Sequence, residues 1–309
     1  MGSVQLAETP CHGYNTSNRQ QAEGCENMGF RPLPIGIDDF REIIEQGYYY
    51  VDKTGLIKEL LEMRGKVNLF TRPRRFGKTL NLSMLQCFFE EGYCDAKRLF
   101  QGLEIMAQGE VYTRHMSRYP VISLSLKSLK QPGYGLAYIR DVQGEEADYL
   151  DALKFLSACI GKVTGKRSVI LIDEYDVPLE NAYFSGFYDE MTAVIRSLFE
   201  SALKTNEYLE FAVITGCLRI SKESIFTGLN NLKIVSITNP MYSEHFGFTE
   251  AEVEAMLRFY GRENCLDTMK TWYDGYLFGR TEVYNPWSVI NYVEQVWVDP
   301  DAFPQPFWS

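Results

Sequence analysis

Residues 72–79 read Arg-Pro-Arg-Arg-Phe-Gly-Lys-Thr, one residue after the short strand candidate Val67-Asn68-Leu69-Phe70 and directly before a segment with helical periodicity. A basic, glycine-containing turn that leaves a strand and opens a helix admits few folds. It aligns with G-x-x-x-x-G-K-[ST]. There backbone N–H groups surround phosphate, the lysine reaches the outer phosphates and the hydroxyl ligates Mg²⁺. The positive end of the following helix points at the same anion. Gly77, Lys78 and Thr79 match, whereas Arg72 replaces the first glycine. A side chain at that position is strained if φ is positive. The alignment makes Arg72, Pro73, Arg74, Arg75, Phe76, Gly77, Lys78, Thr79 and Leu80 the cofactor-binding loop, with Lys78 also a catalytic candidate. The plainer alternative is an exposed basic turn.

The segments around the loop alternate. Strands are expected at Val67 to Phe70, Val121 to Leu126, Val169 to Ile172, Phe211 to Ile214 and Ile234 to Ile237. Helices are expected at 78–90, where Leu82, Leu85 and Phe89 share a face, and at 148–160 and 186–204. Strands separated by helices give an α/β fold, a mainly parallel five-stranded sheet covered on both faces. Ahead of the loop, Tyr48 to Val51 is a short strand candidate, and Asp52 and Thr54 are candidate caps for a helix to about Met63. After Pro240 the pattern becomes helical and aromatic. Thr249-Glu250-Ala251-Glu252 is a capping box, Asp274-Gly275 a turn, and Asn285-Pro286 a cap with proline at the first helical position. The expected organisation is a disordered tail over 1–30, a P-loop domain over 31–240 and a small helical, aromatic-rich subdomain over 241–309.

A second acidic element completes the pattern. Val169-Ile170-Leu171-Ile172-Asp173-Glu174 is a buried-type strand ending in two carboxylates, with Asp173 94 residues after Thr79. In P-loop enzymes such an aspartate positions Mg²⁺, and a neighbouring glutamate serves as general base on water. Thr79 and Asp173 are therefore the metal candidates and Glu174 the catalytic base candidate. Asp176 fits a turn cap. Thr215, at the end of the fourth strand, is either a phosphate- or water-contacting hydroxyl or one that satisfies backbone. Arg219 is either an arginine that stabilises transferred phosphate charge or a surface residue.

Composition narrows the partners. The net charge is −10, from 31 basic and 41 acidic residues, so the overall field repels nucleic acid and anionic lipid. Between Met63 and Phe89, however, there are six basic residues and no acidic one, a local polyanion site. The longest apolar runs fall far short of the roughly 20 residues that span a bilayer, and the N-terminus lacks a signal-peptide pattern. Seven cysteines without a C-x-x-C pair fit reduced thiols and a cytoplasmic location, and three histidines argue against a His-based metal site.

The chain resembles the prokaryotic AAA-ATPase-like proteins, P-loop ATPases related to the archaeal-type and STAND ATPases. The resemblance rests on Leu33-Pro34-Ile35-Gly36 with Phe40, Tyr50-Val51-Asp52-Lys53-Thr54, Phe70 to Leu80, Ile170 to Leu179, Ile214 to Ile220, Trp272 to Phe278, and Tyr284-Asn285-Pro286-Trp287. It implies ATP and Mg²⁺ as cofactors. Lys78 and Thr79 would serve phosphate and metal, Asp173 and Glu174 metal and water, and the segment from Tyr50 to Leu60 would help to hold the base. Arginine at the position of Arg72 is a family trait. Many members continue into a PD-(D/E)XK nuclease-like domain, which would begin near Ser309. The stretch from Leu126 to Val169 is shorter than the family pattern implies. The aromatic residues Trp272, Tyr273, Tyr276 and Trp287 suit a lid or partner surface, or simply a subdomain core.

Two functions fit. One is Mg-dependent ATP binding and hydrolysis that drives a conformational switch, with a homo-oligomer or a protein as partner. The other is a non-hydrolysing module that binds nucleotide, or another polyanion through Arg72, Arg74, Arg75 and Lys78.

Overall fold

The structure, a computed structural model, describes residues 29–127, 150–218, 225, 226 and 228–307. The chain divides into two compact units, Met1–Pro32 and Leu33–Ser309, and the sheet and the site belong to the second. The tail expected over 1–30 lies almost wholly outside the described residues, as does Arg219.

Helices α1 (Phe40–Glu45) and α2 (Gly55–Met63) precede strand β1 (Val67–Thr71) and the long helix α3 (Lys78–Phe89). Three one-turn helices follow, α4 (Ala96–Leu99), α5 (Glu104–Ala107) and α6 (Glu110–Thr113). Then come β2 (Val121–Ser125), α7 (Ala152–Thr164), β3 (Ser168–Asp173), α8 (Val177–Ser185), α9 (Tyr188–Leu203), β4 (Leu209–Gly216) and β5 (Leu232–Val235). The C-terminal part comprises α10 (Glu250–Phe259), α11 (Leu266–Tyr273), a hairpin of β6 (Tyr276–Phe278) and β7 (Thr281–Val283), and α12 (Pro286–Val298).

The five main strands form one sheet in the order β2-β3-β4-β1-β5, parallel at every pairing. Every residue of β1 and β3 is buried, as expected for central strands covered on both sides. Alternate residues feed separate cores. Phe70, Val169, Leu171, Val213 and Val235 face α2 and α3, whereas Leu69, Ile170, Ile172, Ala212 and Ile214 face α8 and α9. A third core joins α10, α11 and α12 and is packed by Leu33, Ile35, Tyr49 and Val51 from the start of the unit. Among the described residues no helix is long and apolar enough to cross a membrane.

Several local expectations are revised. Tyr48 to Val51 is not a strand: among the described residues no strand pairs with it, the Tyr48 N–H donates to the Ile43 carbonyl of α1, and Tyr49, Tyr50 and Val51 pack on cores instead. The helix expected at 186–204 forms as α9, and a further helix not read from the sequence, α8, precedes it and ends at Gly186 in the left-handed conformation (φ +81). The helix expected at 148–160 is shifted towards the C-terminus and ends at the left-handed cap Gly165. The last sheet strand lies at Leu232–Val235, slightly earlier than expected. The turn in the aromatic stretch is followed by a hairpin, which pairs Phe278 with Thr281. The capping box at Thr249 and Glu252 and the Asn285 cap form as read.

Candidate functional site

Strand register brings the site together. Phe70 pairs with Thr215 and Thr71 with Gly216 on one side of β4, and Ile172 pairs with Ile214 on the other. The carboxyl ends of β1, β3 and β4 therefore lie side by side, the usual place for a ligand crevice in an open parallel sheet. From there residues 72–77 turn back into α3, with Gly77 as its N-cap in the left-handed conformation (φ +74). A Cβ on Gly77 would meet nothing within 4 Å, so glycine is favoured there by backbone conformation rather than by space.

Three side chains meet at the strand ends. The Thr79 hydroxyl donates to Asp173 Oδ2 at 2.7 Å, and the Thr215 hydroxyl donates to Asp173 Oδ1 at 2.5 Å. Each carboxylate oxygen of Asp173 thus has its own hydroxyl partner. Thr215 also accepts from the Glu174 N–H at 3.4 Å. Lys78, almost fully buried, directs its ammonium to the carbonyls of Arg72 (3.1 Å) and Pro73 (2.9 Å) and to Cys217 Sγ (3.2 Å). Glu174 is half-buried, lines the same cavity and holds a left-handed backbone (φ +51). A non-glycine residue in that region costs of order 1–3 kcal/mol, and such strain clusters at working sites.

Asp176, read from the sequence as a turn cap, does more than cap its own turn. Its Oδ2 accepts from the N–H groups of Cys217 (2.8 Å) and Leu218 (2.7 Å), while the Tyr175 hydroxyl donates to the Leu218 carbonyl at 2.7 Å. The acidic strand end therefore holds the backbone that leaves β4. Sequence spacing alone gave no sign of this, because the partners lie about 40 residues away.

The four loop cations do not act together. The Arg72 side chain has no exposed surface and turns away from the cavity into the core. Its Nη1 donates to the carbonyls of Val235 (2.8 Å) and Thr71 (3.1 Å), and its guanidinium lies 5.0 Å from the Phe278 ring and 5.1 Å from that of Phe246. Burial lowers its pKa to about 10. This corrects two expectations. Arg72 avoids positive φ, so the missing glycine brings no backbone strain, and its side chain is not available to phosphate. Arg74 pairs with Glu180 at 2.9 Å, which strengthens its hold on its proton, and Arg75 donates to the Phe307 carbonyl at 2.6 Å. A shared polyanion grip by Arg72, Arg74, Arg75 and Lys78 is therefore not formed.

A cavity of about 450 Å³ opens over the loop. Arg74 to Asn81, Lys127 and Glu174 line one part of it; Pro73 does not. The opposite wall is largely apolar, with Ile37, Val51, Phe248, Met256, Trp287 and Ile290. This wall was only partly legible, since its residues come from both ends of the unit. Lys53 ties those ends together. Its buried ammonium donates to the Glu244 carbonyl (2.7 Å) and to Glu252 (2.6 Å). Burial pushes the pKa of Lys53 down, and Glu252 pulls against that shift.

A five-stranded parallel sheet, a G-K-T loop between strand and helix, and an Asp-Glu strand end bonded to the loop threonine define a P-loop NTPase fold. Within that class, a sequence profile described as "Predicted AAA-ATPase" matches residues 34–136 and 133–226, and the chain belongs to that family. Family membership and the loop together support nucleotide binding in general. An uncharacterized protein of the vnfD 5′ region of Azotobacter chroococcum mcd 1 is 32% identical over 285 residues. The match covers 85% of this chain but 52% of that protein, so the chain spans about half the length of its curated relative. Two solved structures are more distant. C. elegans PCH-2 is 14% identical, with a TM-score of 0.33 over 91% of this chain and 64% of that one. The FIGL-1 AAA domain in complex with ADP is 12% identical, with a TM-score of 0.34 over 94% and 82%. Likeness at that level carries no argument about this chain.

Proposed function

We propose that the chain binds Mg·ATP at the loop and hydrolyses it, with turnover driving a switch in the C-terminal part. The observation that carries the reading is the Thr79–Asp173–Thr215 chain of hydrogen bonds, set beside Lys78 and the strained Glu174. In this reading the loop N–H groups and Lys78 bind phosphate, and the apolar wall receives a flat heteroaromatic base.

The donors suit Mg²⁺. Thr79 and Asp173 offer only hard oxygens, 2.7 Å apart, and Mg²⁺ usually takes one or two protein oxygens beside phosphate and water. Among the described residues no group of three or more His, Cys, Asp or Glu could form an all-protein cage, which fits such a sparse site. When bound, the ion would supply neutralisation of phosphate charge. Glu174 orients a water and accepts its proton, while Thr215 keeps Asp173 and the Glu174 backbone in place.

Calorimetry with Mg·ATP and a phosphate-release assay test this. Lys78→Ala should abolish binding. Glu174→Gln should keep binding and lower turnover by about 10²- to 10⁴-fold, the usual contribution of a general base. Wild-type turnover retained by Glu174→Gln would remove the base assignment. Binding without turnover in the wild type would favour the non-hydrolysing module.

A further inference from the structure

The loop's long side chains divide into a fixed set and an exposed one. Arg72 and Phe76 are fully buried against the hairpin; the Phe76 ring lies 4.8 Å from that of Tyr276 and 5.2 Å from that of Phe278. Arg75 differs in every respect. It is exposed, lines the cavity and has a left-handed backbone (φ +68). Its guanidinium lies 4.9 Å from the Trp287 ring, at the start of α12, while donating to the Phe307 carbonyl. The Trp287 indole N–H donates to the same carbonyl at 3.1 Å.

Phe307 belongs to a segment anchored to the C-terminal part. Phe303 O accepts from Gln295, the Tyr273 hydroxyl bonds both the N–H and the carbonyl of Gln305, and the Phe307 ring lies beside Tyr273. Arg75 is therefore a contact by which the loop itself grips this segment and α12.

We propose that Arg75 is a phosphate-responsive latch: its grip on Phe307 and Trp287 and its engagement of nucleotide phosphate are mutually exclusive. The inference rests on the nucleotide reading above and names how occupancy of the loop reaches the C-terminal part. The Arg75 partners seen here are a neutral carbonyl and a partly exposed ring. Charge-assisted bonds to phosphate are stronger and suit the guanidinium fork. Arg75 stands in the loop that cradles phosphate, so the two sets of partners compete for one side chain. Arg72 and Phe76 lack that choice, because their partners are buried core. They form the pivot and Arg75 the catch. By linkage, the segment loosens when phosphate is bound and phosphate affinity falls when the segment is held.

Amide hydrogen exchange over residues 300–307 reads the latch, since the Gln305 N–H is held by Tyr273. Saturating Mg·ATP should raise exchange in the full wild-type chain about tenfold, as expected for a local opening. Arg75→Ala should exchange at the raised rate without nucleotide and respond no further. Trp287→Phe, which keeps Arg75 but removes the indole donor, should give an intermediate rate and guards against a folding defect in the alanine variant. Exchange in Arg75→Ala equal to wild type without nucleotide overturns the latch. So does unchanged or slowed wild-type exchange once calorimetry shows saturation. No calorimetric binding by the wild type defeats the nucleotide reading, and the competition with it; the Arg75→Ala comparison without nucleotide tells that failure from a failure of the grip itself.

Discussion

The two faces of the sheet are built differently. The face toward α3 is crowded with aromatic rings, including Phe40, Phe70, Phe76, Phe88, Phe89 and Phe100, and it accepts the Arg72 guanidinium between Phe246 and Phe278. The face toward α8 and α9 is mainly aliphatic, with Ile170, Ile172, Ile195, Leu203 and Ile214 around a smaller group of rings, Tyr175, Phe199 and Phe226. Flat rings accommodate a planar cation, and they join the loop to the C-terminal hairpin through direct ring contacts. Aliphatic packing offers volume without such directional partners. One face thus connects the site to the rest of the molecule, and the other supports it.

The sharpest attempt to break this contrast is Phe199→Ala. Removing a fully buried ring should lower stability by about 3–5 kcal/mol in denaturant unfolding. Mg·ATP affinity, measured by calorimetry under conditions where the variant stays folded, should not change. A weakened affinity would mean that the aliphatic face also shapes the site.

Arg72→Ala is the counterpart on the aromatic face. It removes hydrogen bonds to two carbonyls and two ring contacts, partly offset by relief of burying a charge, for a net loss of about 2–4 kcal/mol. Here nucleotide affinity should fall as well, by roughly tenfold, because the buried side chain anchors the stretch of loop backbone whose Arg72 carbonyl receives Lys78. If Arg72→Met restores stability but not affinity, the charge specifically couples the core to the loop. The smallest effect is expected outside both cores. Phe155 on α7 is 70% exposed, so Phe155→Gln should change stability by less than about 0.5 kcal/mol.

Parallel strands, loop and acidic strand end were legible because each depends on local pattern. Val169 to Ile172 is apolar throughout and runs into Asp173, and Gly77-Lys78-Thr79 sits between a strand and a helix. Side-chain direction was not legible. A motif aligned by position treats Arg72, Arg74, Arg75 and Lys78 alike. In the fold, Arg72 faces Val235, Arg74 faces Glu180 and Arg75 faces Phe307, partners that lie 163, 106 and 232 residues away. The same limit hid the clamp of Asp176 on the backbone after β4. Tyr48 to Val51 misled for a related reason: β-branched and aromatic residues also suit an extended segment that fills cores without pairing.

The central position of β1 has a consequence in time. Val67 pairs with Ala212 on one edge and with Leu232 on the other, both far downstream. At the usual 5–20 residues per second, about ten to thirty seconds of synthesis separate the appearance of β1 from that of β5. Until β4 is made, β1 has emerged without its sheet neighbours, with both of its hydrogen-bonding edges unmatched, and the edge that takes β5 waits longer still. The segment that becomes the phosphate loop is therefore made early and framed late. A ribosome pausing between β1 and β4 would prolong the stage at which this chain is most exposed to mispairing.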